Sequence, residues 1–268
     1  MAADERNMPF IKNLASSDRK TRTSALDTLR TYLSAPTTAR KLTDLDHMKL
    51  WKGLFYSVWM CDRPIPQQNL CAELAGLLSV LPTPNDDQGA VVLPFLRAFW
   101  ATLSREWTAI DVLRMEKYLL LVRRVFAASL AWVGDGKKGR KEGKWTGTRT
   151  DAMLQLLEEW PLESKGDLSK VSVGLRLHVL DIWVDEVERL ELLNEEDEGD
   201  EDDESREFLD RIRKIVEVQT KSTCKPVRAR AKESLADDRL PWNNAAPLDE
   251  EMADDGHHDR DSWAGFKD

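Results

Sequence analysis

The string GDGKKG at residues 134–139 has the GxGxxG spacing with which dinucleotide-binding loops bring backbone close to a pyrophosphate. That chemistry needs a strand before the loop and a helix after it, so that the phosphates meet a helix N-terminus. Here an apolar helical pattern precedes the glycines and a Lys/Gly string follows, so no nucleotide site is expected. A phosphate-cradling GxxxxGK[ST] loop fails as well. Only three residues separate Gly139 from Gly143, and Trp145 follows Lys144 where a magnesium-binding hydroxyl belongs. The acidic run EEDEGDEDDE at 195–204 can be laid on a calcium loop starting at Asn194, which puts Gly199 at the sixth position. Ser205 then occupies the twelfth position, where a bidentate Glu is required. Nine acids in ten residues read instead as a self-repelling, solvated segment.

His47 and His178 lie in helical patterns without a Cys or second His at ligand spacing, and the pair His257 and His258 sits among acids. Cys61, Cys71 and Cys224 are odd in number and form no CxxC, which argues against a disulfide framework or a zinc module and for a reducing compartment. No GxSxG, HExxH or Cys/His pairing is present. No catalytic group, metal ligand or cofactor is expected.

What remains is charge and tryptophan. Lys137, Lys138, Arg140, Lys141 and Lys144 form a cationic string on a glycine loop, suited to a nuclear import receptor or to RNA phosphate. A second segment carries Arg211, Arg213, Lys214, Lys221, Lys225, Arg228, Arg230 and Lys232 against the single acid Glu217. A net +7 over 22 residues suits phosphate contact or docking on an acidic partner. Arg19, Lys20 and Arg22 make a smaller patch that reads as structural or solvated. No aromatic sheet motif accompanies these charges, so base-specific reading is not implied. Of ten tryptophans, Trp242 and Trp263 fall in a polar, acidic tail, where either can anchor a partner.

These residues must be positioned by helices. The 268 residues include 13 Gly and 11 Pro, too few for a turn-rich β fold. Leu26, Leu29 and Leu33 repeat at helical spacing behind an N-cap at Ser17 or Asp18. A segment capped by Asp44 stripes Leu50, Leu54, Phe55 and Val58, and the string DRPIP ends it. Further helices are expected over about 91–107, 109–133, 149–160, 171–193, 205–221 and 227–235. In the second of these, Val112, Met115, Leu119, Val122, Phe126 and Val133 form the apolar stripe.

The fold class is therefore all-α, an irregular stack of antiparallel helix hairpins like a HEAT-type solenoid, or an elongated bundle. Residues 1–8 form a flexible start, 9–239 one helical domain with loops at about 134–148 and 194–204, and 240–268 an acidic tail. The formal net charge of −9 is concentrated: the run at 195–204 holds nine acids and no base. No secretory or bilayer-spanning segment is evident, so a soluble intracellular protein is expected.

Two strings, KLWKGLFYSVWMCDRPIPQQNLCAEL at 49–74 and FLRAFWATLSREWTAIDVLRMEKYLLLVRR at 95–124, resemble the eukaryotic ribosomal RNA-processing protein 1 family of nucleolar proteins. FIKNLASSDRKTRTSALDTLRTYL at the start fits the same family, and the resemblance covers about residues 9–240. It implies an all-helical, non-catalytic assembly factor of the large ribosomal subunit, located in the nucleus and nucleolus and needed for pre-rRNA processing. Implied partners are other assembly factors, a WD40-type propeller protein and Brix-domain proteins among them, together with pre-rRNA. A generic helical protein–protein adaptor without RNA contact is the alternative. The motif residues are Lys49, Trp51, Lys52, Phe55, Tyr56, Arg105, Glu106, Trp107 and Asp111. On one reading Trp51, Phe55 and Trp107 pack the core while Arg105 pairs with Asp111. On the other, Lys49, Lys52 and Arg105 face a partner or RNA.

Overall fold

The computed structural model describes residues 8–82, 89–134, 147–193 and 200–243. The described residues form helices and turns, with no strand among them. In chain order the helices are α1 (Phe10–Leu14), α2 (Arg19–Ser34), α3 (Pro36–Ala39), α4 (Asp44–Trp59), α5 (Pro64–Ala75) and α6 (Leu77–Val80). They continue with α7 (Val92–Glu106), α8 (Val112–Gly134), α9 (Thr148–Glu159), α10 (Val173–Arg189), α11 (Asp200–Gln219) and α12 (Lys225–Leu235). Short 3₁₀ turns at Trp107–Ala109 and Pro241–Asn243 complete the set.

Local signals set the boundaries. Asp18 accepts the Thr21 backbone N–H at 2.8 Å and so satisfies one of the donors that the first turn of α2 leaves unpaired. The cap of α4 is Thr43 rather than the expected Asp44: Thr43 and Asp46 exchange hydrogen bonds as a capping box. Pro64 and Pro226 fall in the first turns of α5 and α12, where a missing N–H costs nothing. Helix α11 begins at Asp200, inside the acidic run and five residues before the expected start.

The helices stack in two layers. In one, α1 packs on α4, α4 on α7, α7 on α9 and α9 on α11. In the other, α5 packs on α8, α8 on α10 and α10 on α12. Each hairpin thus buries its apolar face against the next, which is the solenoid arrangement expected from the helical periodicity. Aromatic side chains fill the seams. Trp51 is fully buried between Phe95 and Phe99, ring centroids 4.9 and 4.8 Å away, and its indole N–H donates to the Phe95 carbonyl at 2.8 Å. Tyr118 stacks on Phe55 at 4.5 Å and donates its hydroxyl to the Phe55 carbonyl. Burying one such ring removes about 150–250 Å² from water, roughly 4–6 kcal/mol of favourable transfer free energy before entropy is counted.

Candidate interaction surfaces

The family-like strings pack together along α4–α7 and α5–α8, and at one corner of that contact the end of α4 touches the start of α8. Lys117, almost wholly buried, donates through Nζ to the carbonyls of Trp59 and Cys61 at 2.8 and 2.9 Å, and lies 3.7 Å from Asp62. A cation is thereby placed on the carbonyl end of α4, which the helix dipole favours. Burial holds the Lys117 ammonium below the usual lysine range, with Asp62 opposing that shift. The Arg114 guanidinium stacks 4.6 Å over the Trp59 ring.

Trp51, Phe55 and Trp107 are all in the core. The expected Arg105–Asp111 pair is not formed. Arg105 bonds its neighbour Glu106 at 2.8 Å, and Asp111 instead pairs with Arg114 and accepts that residue's backbone N–H, capping α8. Turning into the first turn of α8 gives Asp111 a nearer cation than Arg105. Trp107 abuts α10 at Gly174, where an added Cβ would come within 2.6 Å of the indole nitrogen. Lys52 is exposed, while Lys49 and Tyr56 are half-buried.

Four large apolar side chains stay in solvent around this corner: Met60, Ile65, Val112 and Leu113, the last two 83% and 90% exposed. The expectation that Val112 opens the buried stripe of α8 is therefore corrected. It stands at the first residue of the helix, before α8 enters its neighbours. The inward positions include Lys117, Tyr118 and Leu121. Sequence reasoning missed both the buried lysine and the exposed aliphatics. An aliphatic pair set directly beside a capping Asp was the available signal. Arg105, Arg114 and Lys117 each have an acidic neighbour, while Arg63 is exposed with no ion pair among the described residues.

The basic segment Arg211 to Lys232 divides into paired and unpaired cations. Arg211 reaches Asp151 on α9 at 2.6 Å, Lys214 reaches Asp210 at 2.7 Å, and Arg230 pairs with Asp181 on α10 and with Glu233. Arg213 bonds Glu217 at 2.8 Å and stacks 4.6 Å from the Trp242 ring. Lys221, Lys225 and Lys232 are exposed and make no ion pair among the described residues, and Arg228 gives one hydrogen bond to the Ser222 carbonyl at 2.6 Å.

Trp242 itself is half-buried, and its indole N–H donates to the Leu235 carbonyl at 3.1 Å. Leu240 is fully buried. The packed chain thus runs through Asn243, past the expected start of the tail at 240, and Trp242 is held by its own domain. Trp263 and the loop cations Lys137, Lys138, Arg140, Lys141 and Lys144 lie outside the described residues.

The other ionisable groups are structural in their contacts. Arg22 donates to the carbonyls of Ser16 and Ser17, tying the turn before α2. Arg176 is fully buried; it donates to the Glu163 carbonyl at 2.6 Å and to Gln219 Oε1 at 2.9 Å, and lies 3.6 Å from the Glu163 carboxylate. His178 gives Nε2–H to the Leu119 carbonyl, and burial holds it below the usual histidine range. Burial likewise pushes the Cys71 thiol up to about 12, which leaves it unreactive as a nucleophile. Clefts lined by Arg19, Arg22, Cys61 and Glu73, by Tyr32, Thr38, Lys41 and Asp46, and by Asp151, Glu158, Arg211 and Lys214 have volumes of about 110, 200 and 250 Å³. Ligand pockets for drug-sized molecules run to about 300–1,000 Å³. Among the described residues no group of His, Cys, Asp and Glu is placed to hold a metal ion, and no helix is long and apolar enough to cross a membrane.

The described residues thus form a two-layer helical stack with exposed apolar side chains at one corner and unpaired cations on its last hairpin. Residues 5–265 match the family model described as "Nucleolar protein, Nop52", and the chain belongs to that family. It is accordingly a nucleolar protein. It is similar to human ribosomal RNA processing protein 1 homolog B, 32% identical over 192 residues, which is 70% of this chain and 23% of that protein. It is also similar to mouse and human ribosomal RNA processing protein 1 homolog A. Both are 33% identical over 181 residues, which is 67% of this chain and 34% and 36% of those proteins. The aligned part thus spans about a quarter to a third of the length of these relatives.

Proposed function

We propose that this protein acts in ribosomal RNA processing as a non-catalytic assembly factor of the large ribosomal subunit, a helical scaffold that holds other assembly factors and pre-rRNA. The reading is supported by the family and by the names of its relatives. The observation that carries the scaffold role is the motif corner. There Asp62, Asp111, Arg114 and Lys117 are engaged in a helix cap and ion pairs, and Met60, Ile65, Val112 and Leu113 face solvent. Exposed apolar side chains set among paired charges are suited to a protein partner. WD40-type and Brix-domain assembly factors are the proposed occupants.

The substitution pair Val112→Ser and Leu113→Ser tests this. Both side chains are in water, so thermal stability should hold. In cells relying on the variant, the protein should leave the fractions that contain precursor particles, and unprocessed pre-rRNA should accumulate. Unchanged co-sedimentation with unchanged processing would sink the assignment of this corner. A generic adaptor without RNA contact would instead leave pre-rRNA processing unaffected when the whole protein is depleted.

A further inference from the structure

Around helix α12, at 100° per residue, Lys225, Arg228 and Lys232 fall within about 60° of arc. Arg230, which pairs with Asp181 on α10, lies about 140–160° away from them. The three cations therefore occupy the side of the last hairpin turned away from α10, where a further solenoid unit would stack. Lys221 adjoins them at the turn between α11 and α12, and Arg228 is tied to that turn through the Ser222 carbonyl. Resting on the reading above that the protein contacts pre-rRNA, we propose that this face, formed by Lys221, Lys225, Arg228 and Lys232, is a site for the phosphate backbone of RNA.

A solenoid end needs a polar outer face simply for solubility, and mixed charge suffices for that. Helix α11 shows the mixed case: Asp210, Arg213 and Glu217 satisfy one another. The α12 face is of one sign. Lys225 with Arg228, and Arg228 with Lys232, are like-charged pairs at i,i+3 and i,i+4, a spacing at which like charges destabilise a helix. Nothing among the described residues relieves that repulsion; a polyanion does. The choice of phosphate over an acidic protein comes from what the face lacks. Among the described residues beside these cations, Leu235 is packed partly against the core and Val218, one turn before Lys221, is 43% exposed, and neither is an aromatic anchor of the kind on which a protein interface is built. Lys225 and Lys232 are about 10 Å apart along the helix axis, so the face can meet more than one phosphate but reads no bases. Arg211, Arg213, Lys214 and Arg230, engaged within the fold, are not part of it.

The experiment titrates the full chain with a short RNA duplex and with a uridine oligonucleotide at several salt concentrations. The triple variant Lys221→Gln, Lys225→Gln, Lys232→Gln is compared with the wild type and with Arg211→Gln. Each phosphate contact contributes about 0.7 to the salt slope on a single strand and about 0.9 on a duplex, so the triple variant should show a slope shallower by about two to three. Between about 50 and 200 mM salt the wild type should then lose roughly 20- to 40-fold more affinity than the variant does. Arg211→Gln should bind as the wild type does, and an unchanged circular dichroism melt shows that the triple variant is folded. Equal affinity and slope in wild type and triple variant would overturn the site while leaving an RNA role elsewhere intact. A wild type that binds neither RNA at low salt would overturn both. Competition by poly-glutamate as effective as that by RNA of equal charge would reassign the face to an acidic protein and also refute the proposal.

Discussion

Replacing Arg176 by Met removes the guanidinium that joins three parts of the chain: the loop after α9 through Glu163, the middle of the second layer through α10, and the end of α11 through Gln219. The methylene stem is kept, so the loss is of polar contacts rather than volume. The Glu163 carboxylate would stay buried with only the backbone N–H groups of Lys165 and Asp167, at 2.8 and 2.7 Å, to neutralise it. Gln219 Oε1 and the Glu163 carbonyl each lose a donor. Breaking one partner of a buried ion pair costs about 3–5 kcal/mol, because the other charge is left unpaired in low dielectric. For a chain of this size that corresponds to a fall in melting temperature of about 6–20 °C.

Urea unfolding followed by far-ultraviolet circular dichroism measures the loss directly, as a lower midpoint at unchanged m-value. The double variant Glu163→Gln with Arg176→Met removes the stranded charge and keeps an acceptor for the two N–H groups. It should recover about 1–3 kcal/mol relative to Arg176→Met alone. A single variant that loses less than about 1 kcal/mol, or a double variant no more stable than the single, would refute the assignment of this cluster as the tie between the layers.

Gly174→Ala would drive a Cβ to within 2.6 Å of the Trp107 indole nitrogen, in a ring too enclosed to move away. A loss of about 1–3 kcal/mol is expected in the same unfolding assay, and a neutral result would mean that the contact between Trp107 and α10 is looser than described. His47 is buried, and desolvation holds it below its ordinary value against the opposing pull of Asp44 and Asp46. Below about pH 6.5 the unfolded chain therefore binds a proton that the folded chain refuses, and stability falls with falling pH by up to about 1.4 kcal/mol per unit until the folded value is reached. His178 acts in the same direction, so His47→Gln should reduce that slope but not abolish it. A slope equal to that of the wild type would count against the buried neutral His47. Arg239 contacts Asp185, Glu188 and Asp237, yet its side chain is 38% exposed, so Arg239→Ala should cost less than about 1 kcal/mol and less still at high salt. A loss well above that figure would show that the arginine is part of the fold's interior network.

The element pattern was legible in the sequence because helical signals are local. Leucines recur every three or four residues, Asp18 caps the turn beside it, and the string DRPIP marks the break between α4 and α5. The family was legible too, since KLWKGLFY and REWTAID are strings rather than shapes. The sequence alone therefore determined an all-helical stack and its lineage.

Only the tertiary structure decided which charges are available. Arg211 finds Asp151 60 positions away, Arg230 finds Asp181 49 away, and Arg123 finds Glu186 63 away. Nothing in the basic segment itself distinguishes those arginines from Lys221, Lys225 and Lys232. The same holds for burial: Lys117 and Val112 sit five residues apart on α8, and the lysine is inside while the valine is outside. Periodicity gives the angle of a residue around its own helix. How far along that helix a neighbour reaches, and whether a carbonyl or carboxylate waits there, is fixed by hairpins packed from distant parts of the chain.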